Sequence, residues 1–159
     1  MNLRIVFPAL AAIVLTAIAI IALTRSAESA AGDLVVTFAW ARATPPGANV
    51  GAAYVTIENR GGTDDRLIGV ASEVAGSASI HETVEENGVA KMRPLEAIAL
   101  LAGHTIAMQP GGFHVMLMDL KSPLVEGESV ALTMTFEHAG AIEVEADIAA
   151  IGADPPPQR

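Results

Sequence analysis

The sequence predicts an all-β domain of the sandwich or barrel type. From Leu34 onward, short β-branched or alternating runs recur, among them LVVTFAWA, FHVMLMDL and SVALTMTFEH. Turn dipeptides such as Asn87-Gly88 and Glu126-Gly127 separate these runs. No long stretch has the periodicity of an amphipathic helix, although PLEAIALL is compatible with one helical turn. Short strands at regular spacing are typical of β-sandwiches and β-barrels.

The first 31 residues are predicted to be a signal peptide or an N-terminal membrane anchor. Arg4 precedes an apolar run from Ile5 to Leu23, and the stretch SAESAAG offers cleavage sites after Ser29 or Ala31. Because the apolar run approaches the length that spans a bilayer, an uncleaved anchor is the alternative to a signal peptide. In both cases the rest of the chain is expected to be periplasmic or otherwise extracytoplasmic, with membrane contact only through this segment.

The remaining sequence is expected to form one domain, residues 32–150, followed by a disordered tail, residues 151–159. A domain of this length can bury its own core. The tail ends in DPPPQR, which offers no apolar side chain to a core. The chain contains no cysteine, so the fold must form without disulfides and a metal site without thiolates.

The composition excludes several classes of function. The net charge is −9 at neutral pH, and nucleic acid is excluded as a partner because its phosphates require a basic surface. The acidity serves solubility or steers the protein towards basic partners and cations. The sequence also lacks the G-x-S-x-G, H-E-x-x-H, phosphate-loop and dinucleotide-binding motifs. We therefore expect a protein that is not an enzyme.

Four side chains between positions 81 and 116 form the candidate metal site. His81, Met92, His114 and Met116 follow the spacing H-x10-M-x21-H-x-M. Neutral imidazoles and thioethers are soft donors, and a site rich in thioethers favours Cu(I) over Mg²⁺ or Ca²⁺. Electron transfer is disfavoured, because a blue-copper site uses a cysteine ligand that this chain lacks.

The geometry of a hairpin brings the first two candidates together. A two-residue turn at Asn87-Gly88 would place Thr83 opposite Met92. Because side chains alternate across a strand, Met92 would then lie diagonally opposite His81 on the same face. A four-residue loop would also keep them on one face, whereas a three-residue loop would separate them.

The other two candidates lie on one predicted strand. His114 and Met116 are two residues apart and therefore point to the same side of that strand. Met118 lies one pleat further along, as a substitute ligand or a core residue. Met108 and Met134 lie in strand-like runs and are predicted to fill the core.

The other histidines and the single tryptophan are assigned structural positions. His104 and His138 lie in predicted turns and are expected to be solvated. Trp40 is expected to anchor the core, with Arg42 covering a polar edge.

The chain resembles a known family at these motifs. The four-residue spacing, WARATPPGANVGAAYVTIEN at 40–59 and QPGGFHVMLMDLK at 109–121 resemble the periplasmic copper chaperones called PCuAC. The resemblance extends from about Trp40 to Asp147. Some relatives carry a C-terminal tail rich in His and Met that adds copper-binding capacity, whereas this chain ends in ADPPPQR.

The resemblance implies a fold, a ligand set and partners. The fold would be a cupredoxin-like Greek-key β-sandwich or barrel. The implied Cu(I) ligands are His81, Met92, His114 and Met116. The protein would supply copper towards the Cu(A) centre of cytochrome c oxidase, with subunit II or another copper chaperone as the acceptor. Independently of the resemblance, we expect a monomer.

Two other functions are compatible with the sequence. One is a periplasmic copper buffer or resistance protein with no dedicated acceptor. The other is a metal-free secreted β-sandwich that acts as an interaction module.

Overall fold

Ten β-strands make up the part of the chain that the computed structural model describes, residues 33–154. The strands are β1 (Leu34–Arg42), β2 (Val50–Asn59), β3 (Asp65–Ala71), β4 (Ala75–Glu86), β5 (Val89–Leu95), β6 (Ile98–Leu100), β7 (Thr105–Ala107), β8 (Phe113–Leu120), β9 (Ser129–Phe136) and β10 (Gly140–Ala149). The all-β prediction is confirmed. The PLEAIALL segment forms no helical turn, because it contains the end of β5 and all of β6. Within the described range no helix suited to crossing a membrane is found.

The predicted leader, residues 1–31, lies outside the described residues, as do residues 155–159 of the predicted tail. The division of the chain into leader, domain and tail stays a prediction. The described residues from Leu34 to Asp154 form one compact unit.

The strands join into one sheet in which neighbours in space are often distant in sequence. The order is β5-β4-β8-β2-β1-β10-β9-β3-β6. The short strand β7 pairs with the C-terminal half of β2. All pairs are antiparallel except β1 with β10. A single core cluster contains Ile80 of β4 and Leu100 of β6, which belong to opposite ends of this order. The sheet therefore curves over on itself and encloses one core, as the predicted Greek-key sandwich or barrel requires.

The core is filled by the alternating side chains of these strands. In β9, Val130, Leu132, Met134 and Phe136 are buried, whereas the residues between them are exposed or half-buried. Trp40 is only 1% exposed, which confirms its predicted role in the core. Burial of each such side chain stabilises the fold by roughly 1.5 to 3 kcal/mol relative to exposure.

The hairpin of β4 and β5 has the register that its turn predicts. Asn87 and Gly88 have φ values of 55° and 77°, as a type I′ turn requires. Thr83 pairs with Met92 across the hairpin. Met92 and Thr83 therefore share a face, and the diagonal relation of Met92 to His81 is confirmed.

A buried carboxylate fastens the turn between β9 and β10 to the start of β3. Asp65 is 7% exposed, and its carboxylate accepts hydrogen bonds from the backbone N–H groups of Arg66, His138 and Ala139 at 2.6, 3.0 and 2.9 Å. Burial alone would raise the pKa of Asp65. The three backbone donors and the charge of His138 outweigh burial, so the pKa lies below its ordinary value.

We expect Asp65→Asn to lower the free energy of unfolding by about 2 kcal/mol at pH 7, because a neutral amide oxygen is a weaker acceptor for these three donors. Because the pKa is lower in the folded state, the carboxylate's stabilisation is complete above about pH 4 and is lost as the pH falls through the folded pKa. The difference between wild type and variant should therefore narrow in acid. Urea unfolding of the full-length proteins at several pH values measures it.

The matched control is Asp147→Asn. Asp147 is exposed on β10 and its side chain makes no hydrogen bond to another described residue. Its replacement should change the unfolding free energy by less than about 0.5 kcal/mol. An equal effect of the two substitutions would contradict the role assigned to Asp65.

Candidate metal centre

The pairing of β4 with β8 places two histidines directly opposite each other. His81 pairs with His114, and their ring centroids are 5.8 Å apart with an angle of 37° between the planes. Ser79 pairs with Met116 in the same ladder. Since side chains two residues apart share a face, His81, His114 and Met116 lie on one side of the sheet. The opposite side of these strands carries the buried core residues Ile80 and Val115.

The fourth predicted residue lies at the rim of this face. Met92 belongs to β5, which ends the strand order, and its side chain is 61% exposed. Through its pairing with Thr83 it occupies the same side of the sheet as His81. The site thus combines a buried imidazole, His114, with an exposed thioether.

A cavity of about 390 Å³ opens beside these side chains. Its lining includes Met92, His114 and Met116, together with Arg42 and Tyr54. His81 lies next to His114 outside this lining. A molecule in the cavity would therefore reach three of the four predicted ligands.

One hydrogen bond fixes the orientation of His114. Its side chain is 5% exposed, and Nδ1 lies 3.1 Å from the carbonyl oxygen of Gly112. A carbonyl oxygen only accepts, so Nδ1 must carry the proton and donate it. The lone pair of the neutral ring is then on Nε2, which can bind a metal ion.

His81 contains a buried nitrogen with no hydrogen-bond partner. Its Nε2 lies 2.9 Å from the hydroxyl oxygen of Ser79, whereas Nδ1 is buried and unpaired among the described residues. Burial lowers the pKa of His81, and the neighbouring His114 lowers it further, so the neutral form is favoured. A neutral imidazole with an unpaired buried nitrogen fits a metal donor, because a metal ion would supply the missing partner.

The remaining sequence assignments divide between core and surface. Met108 and Met134 are 4% and 0% exposed, so their assignment to the core is confirmed. His104 and His138 are exposed, as predicted. Met118 is half-buried on β8 and does not line the cavity. No cluster of three or more His, Cys, Asp or Glu suited to a metal ion occurs within the described range.

Sequence reasoning missed two groups that hydrogen-bond to the histidines, the Ser79 hydroxyl and the Gly112 carbonyl. Ser79 lies two residues before His81, so strand alternation could have placed it on the same face. The carbonyl of Gly112 carries no sequence signal of its own, because any residue there would present the same group. The contribution of Arg42 and Tyr54 to the cavity depends on β1 and β2 lying beyond β8 in the sheet.

A family model matches most of the described chain. A family model described as "Putative lipoprotein LpqE-like" matches residues 34–148. The chain belongs to this LpqE-like family. It is 36% identical over 107 residues to the "Putative lipoprotein Lxx21020" of Leifsonia xyli subsp. xyli, an alignment that covers 67% of this chain and 63% of that protein. The chain thus spans less than two thirds of the length of this relative.

Solved structures relate the LpqE-like chain to PCuAC domains. The apo PCuAC domain from PmoF1 superposes with a TM-score of 0.64 at 34% identity, covering 75% of this chain and 95% of that one. The solution structure of CuI-DR1885 from Deinococcus radiodurans superposes with a TM-score of 0.56 at 30% identity, covering 82% of this chain and 89% of that one. The resemblance to the PCuAC family is confirmed.

We expect neutral His114 in the metal-free protein to carry its proton on Nδ1, because the Gly112 carbonyl accepts from that atom. Two-bond ¹⁵N–¹H correlation spectra of the full-length protein would identify the protonated nitrogen. His104 is an internal comparison, since its Nδ1 lies 2.9 Å from the carbonyl of Ala102 on an exposed turn. Protonation of His114 at Nε2 would contradict the assignment.

Proposed function

We propose that the domain binds Cu(I) and delivers it to another protein. The proposed ligands are His81, Met92, His114 and Met116. The observation that carries the proposal is the His81–His114 pair. The buried Nδ1 of His81 has no hydrogen-bond partner among the described residues. In His114, the hydrogen bond from Nδ1 to the Gly112 carbonyl leaves the lone pair on Nε2. Met116 and Met92 add thioethers on the same side of the sheet.

The donor set favours the monovalent oxidation state of copper. Thioether sulfur and imidazole nitrogen are soft or borderline neutral donors, which suit Cu(I). Because none of the four is an anion, they hold the ion less tightly than thiolates would. The Cu(I) form of the Deinococcus radiodurans neighbour supports the same assignment.

The geometry supports transfer without covalent chemistry. Met92 is the most exposed of the four side chains, so an acceptor's donor can replace it first while the buried His114 still holds the ion. Copper would then move by exchange of one ligand at a time. Movement to an acceptor with thiolate ligands, such as subunit II of cytochrome c oxidase on the route to Cu(A), would be downhill.

We further propose that the protein works as a monomer in the periplasm or an equivalent extracytoplasmic compartment. The lipoprotein descriptions of the family and of its Leifsonia relative support this location. The predicted leader, residues 1–31, would serve as a signal peptide or as an N-terminal membrane anchor. Thioether ligands also suit an oxidising compartment, where thiolates form disulfides.

Anaerobic titration with Cu(I) against a competing chelator tests the binding site. We expect the full-length protein to bind one equivalent of Cu(I). His81→Ala combined with Met116→Ala should weaken Cu(I) binding by more than about 100-fold, because losing two ligands should cost more affinity than losing the residues that hydrogen-bond to ligands. Met118→Ala is the matched control, because Met118 lies on the same strand and face as Met116 but outside the cavity. An equal loss in the control, or no binding by folded wild type, would contradict the ligand assignment.

Delivery requires a separate experiment with a copper-binding domain of oxidase subunit II as the acceptor. We expect the Cu(I)-loaded protein to transfer copper to the reduced, metal-free acceptor, and Met92→Ala to change the transfer rate, because Met92 is the exposed ligand. Rapid mixing followed by metal analysis of the separated proteins measures this. Tight binding without transfer would favour the copper-buffer function.

A further inference from the structure

Arg42, which forms no ion pair with a carboxylate of the described residues, lines the cavity beside the proposed copper site. The Nε group of Arg42 donates a hydrogen bond of 3.0 Å to the carbonyl of Ala153. Its guanidinium carbon lies 6.0 Å from the ring centroid of Trp40 and 5.9 Å from that of Tyr54, and the two rings stack 4.5 Å apart. These contacts position the guanidinium group, and its terminal N–H groups have no hydrogen-bond partner among the described residues.

The ion pairs among the described residues lie elsewhere. Between residues 33 and 154 they join Arg60 with Glu58, Arg66 with Glu137, and Lys91 and Arg93 with Glu86. Arg42 takes part in none of them. The cavity therefore contains a fixed positive charge that the described residues do not neutralise.

The lining of the cavity differs in charge from the protein as a whole. The chain has a net charge of −9, but no Asp or Glu is among the described residues that line the cavity. Thr44, Tyr54 and Thr83 bring hydroxyl groups to it. Burial raises the pKa of Tyr54 and Arg42 lowers it by a smaller amount, so the phenol is protonated at neutral pH and can donate a hydrogen bond. One guanidinium with hydroxyl donors and no competing carboxylate is an arrangement that recognises an anion.

We propose that this cavity binds a small organic carboxylate, of the size of acetate or an amino acid, on the guanidinium of Arg42. The planar guanidinium fork matches a carboxylate with two parallel hydrogen bonds. The volume of about 390 Å³ lies in the range of small-molecule sites. A free small carboxylate is favoured over an acidic segment of another protein, because the net negative charge of this domain repels an acidic surface at long range.

The second part of the inference rests on the proposed copper function. Neutral ligands leave bound Cu(I) with its positive charge, and His114, Met116 and Arg42 line one cavity. A carboxylate on Arg42 would offset both positive charges at once. By linkage, the carboxylate would tighten Cu(I) binding, and Cu(I) would tighten carboxylate binding by the same factor. The carboxylate would thus serve as the counter-anion of the bound ion, and its departure would favour release.

Titration of the copper-free, full-length protein tests the cavity alone. Trp40 is the only tryptophan, so its fluorescence reports on the neighbourhood of Arg42. Acetate and glycine, added at constant ionic strength with chloride as the balancing anion, should give a saturable change. Arg42→Gln should weaken binding by at least about tenfold, the range of a lost charge-assisted hydrogen bond. Arg42→Lys should weaken it less, since it keeps the charge but loses the planar fork.

The matched control is Arg66→Gln, because Arg66 is an exposed arginine outside the cavity. It should bind acetate as wild type does. Absence of a saturable response, or an equal response in folded Arg42→Gln and wild type, would overturn the proposal. If Arg42→Gln does not fold, the comparison of Arg42→Lys with Arg66→Gln decides the matter, and equal binding by these two would overturn it.

Chelator competition with Cu(I) in the presence and absence of acetate tests the coupling. We expect acetate to raise the Cu(I) affinity of wild type by about tenfold and to leave that of Arg42→Gln unchanged. Copper binding that is insensitive to acetate would overturn the coupling and leave the proposed function intact. Acetate binding by a protein that binds no Cu(I) would support the carboxylate site in the cavity and contradict the proposed copper function.

Discussion

The register between β4 and β8 is the constraint on which the site depends. It places His81 opposite His114 and, one residue along, Ile80 opposite Val115. A shift by one residue would turn the histidines into the core and the apolar side chains outward. Ile80 and Val115 are 3% and 0% exposed, so their burial opposes such a shift. The hydrophobic core on one side of these strands therefore determines the geometry of the donors on the other side.

The arrangement of these strands gives the four proposed ligands different surroundings. His114 is buried and oriented by a backbone carbonyl, whereas Met92 is exposed on the last strand of the sheet. A rigid donor defines where an ion would sit, and an exposed one gives an incoming ligand access. A fully buried set would bind an ion without exchanging it readily, and a fully exposed set would not select it. A site with one buried and one exposed donor suits a protein that must bind a metal ion and later release it.

Local geometry could be derived from the sequence, and long-range packing could not. The Asn87-Gly88 turn determines the register of Met92 because only two residues separate the strands. The pairing of His81 with His114 joins strands distant in sequence, and the spacing of the motif gives no distance between them. The cavity was beyond prediction for the same reason, since Arg42 comes from β1, which enters the sheet two strands away from β8.

The exposed strand β5 has a consequence for self-association. An edge strand presents unpaired backbone groups that invite pairing with another sheet. Along β5, Lys91 and Arg93 carry charge, both bound to Glu86, and Pro94 lacks a backbone donor. These residues discourage edge-to-edge addition of a second molecule, which would otherwise crowd the rim of the sheet beside Met92. Protection against aggregation and access to the rim are thus provided by one strand.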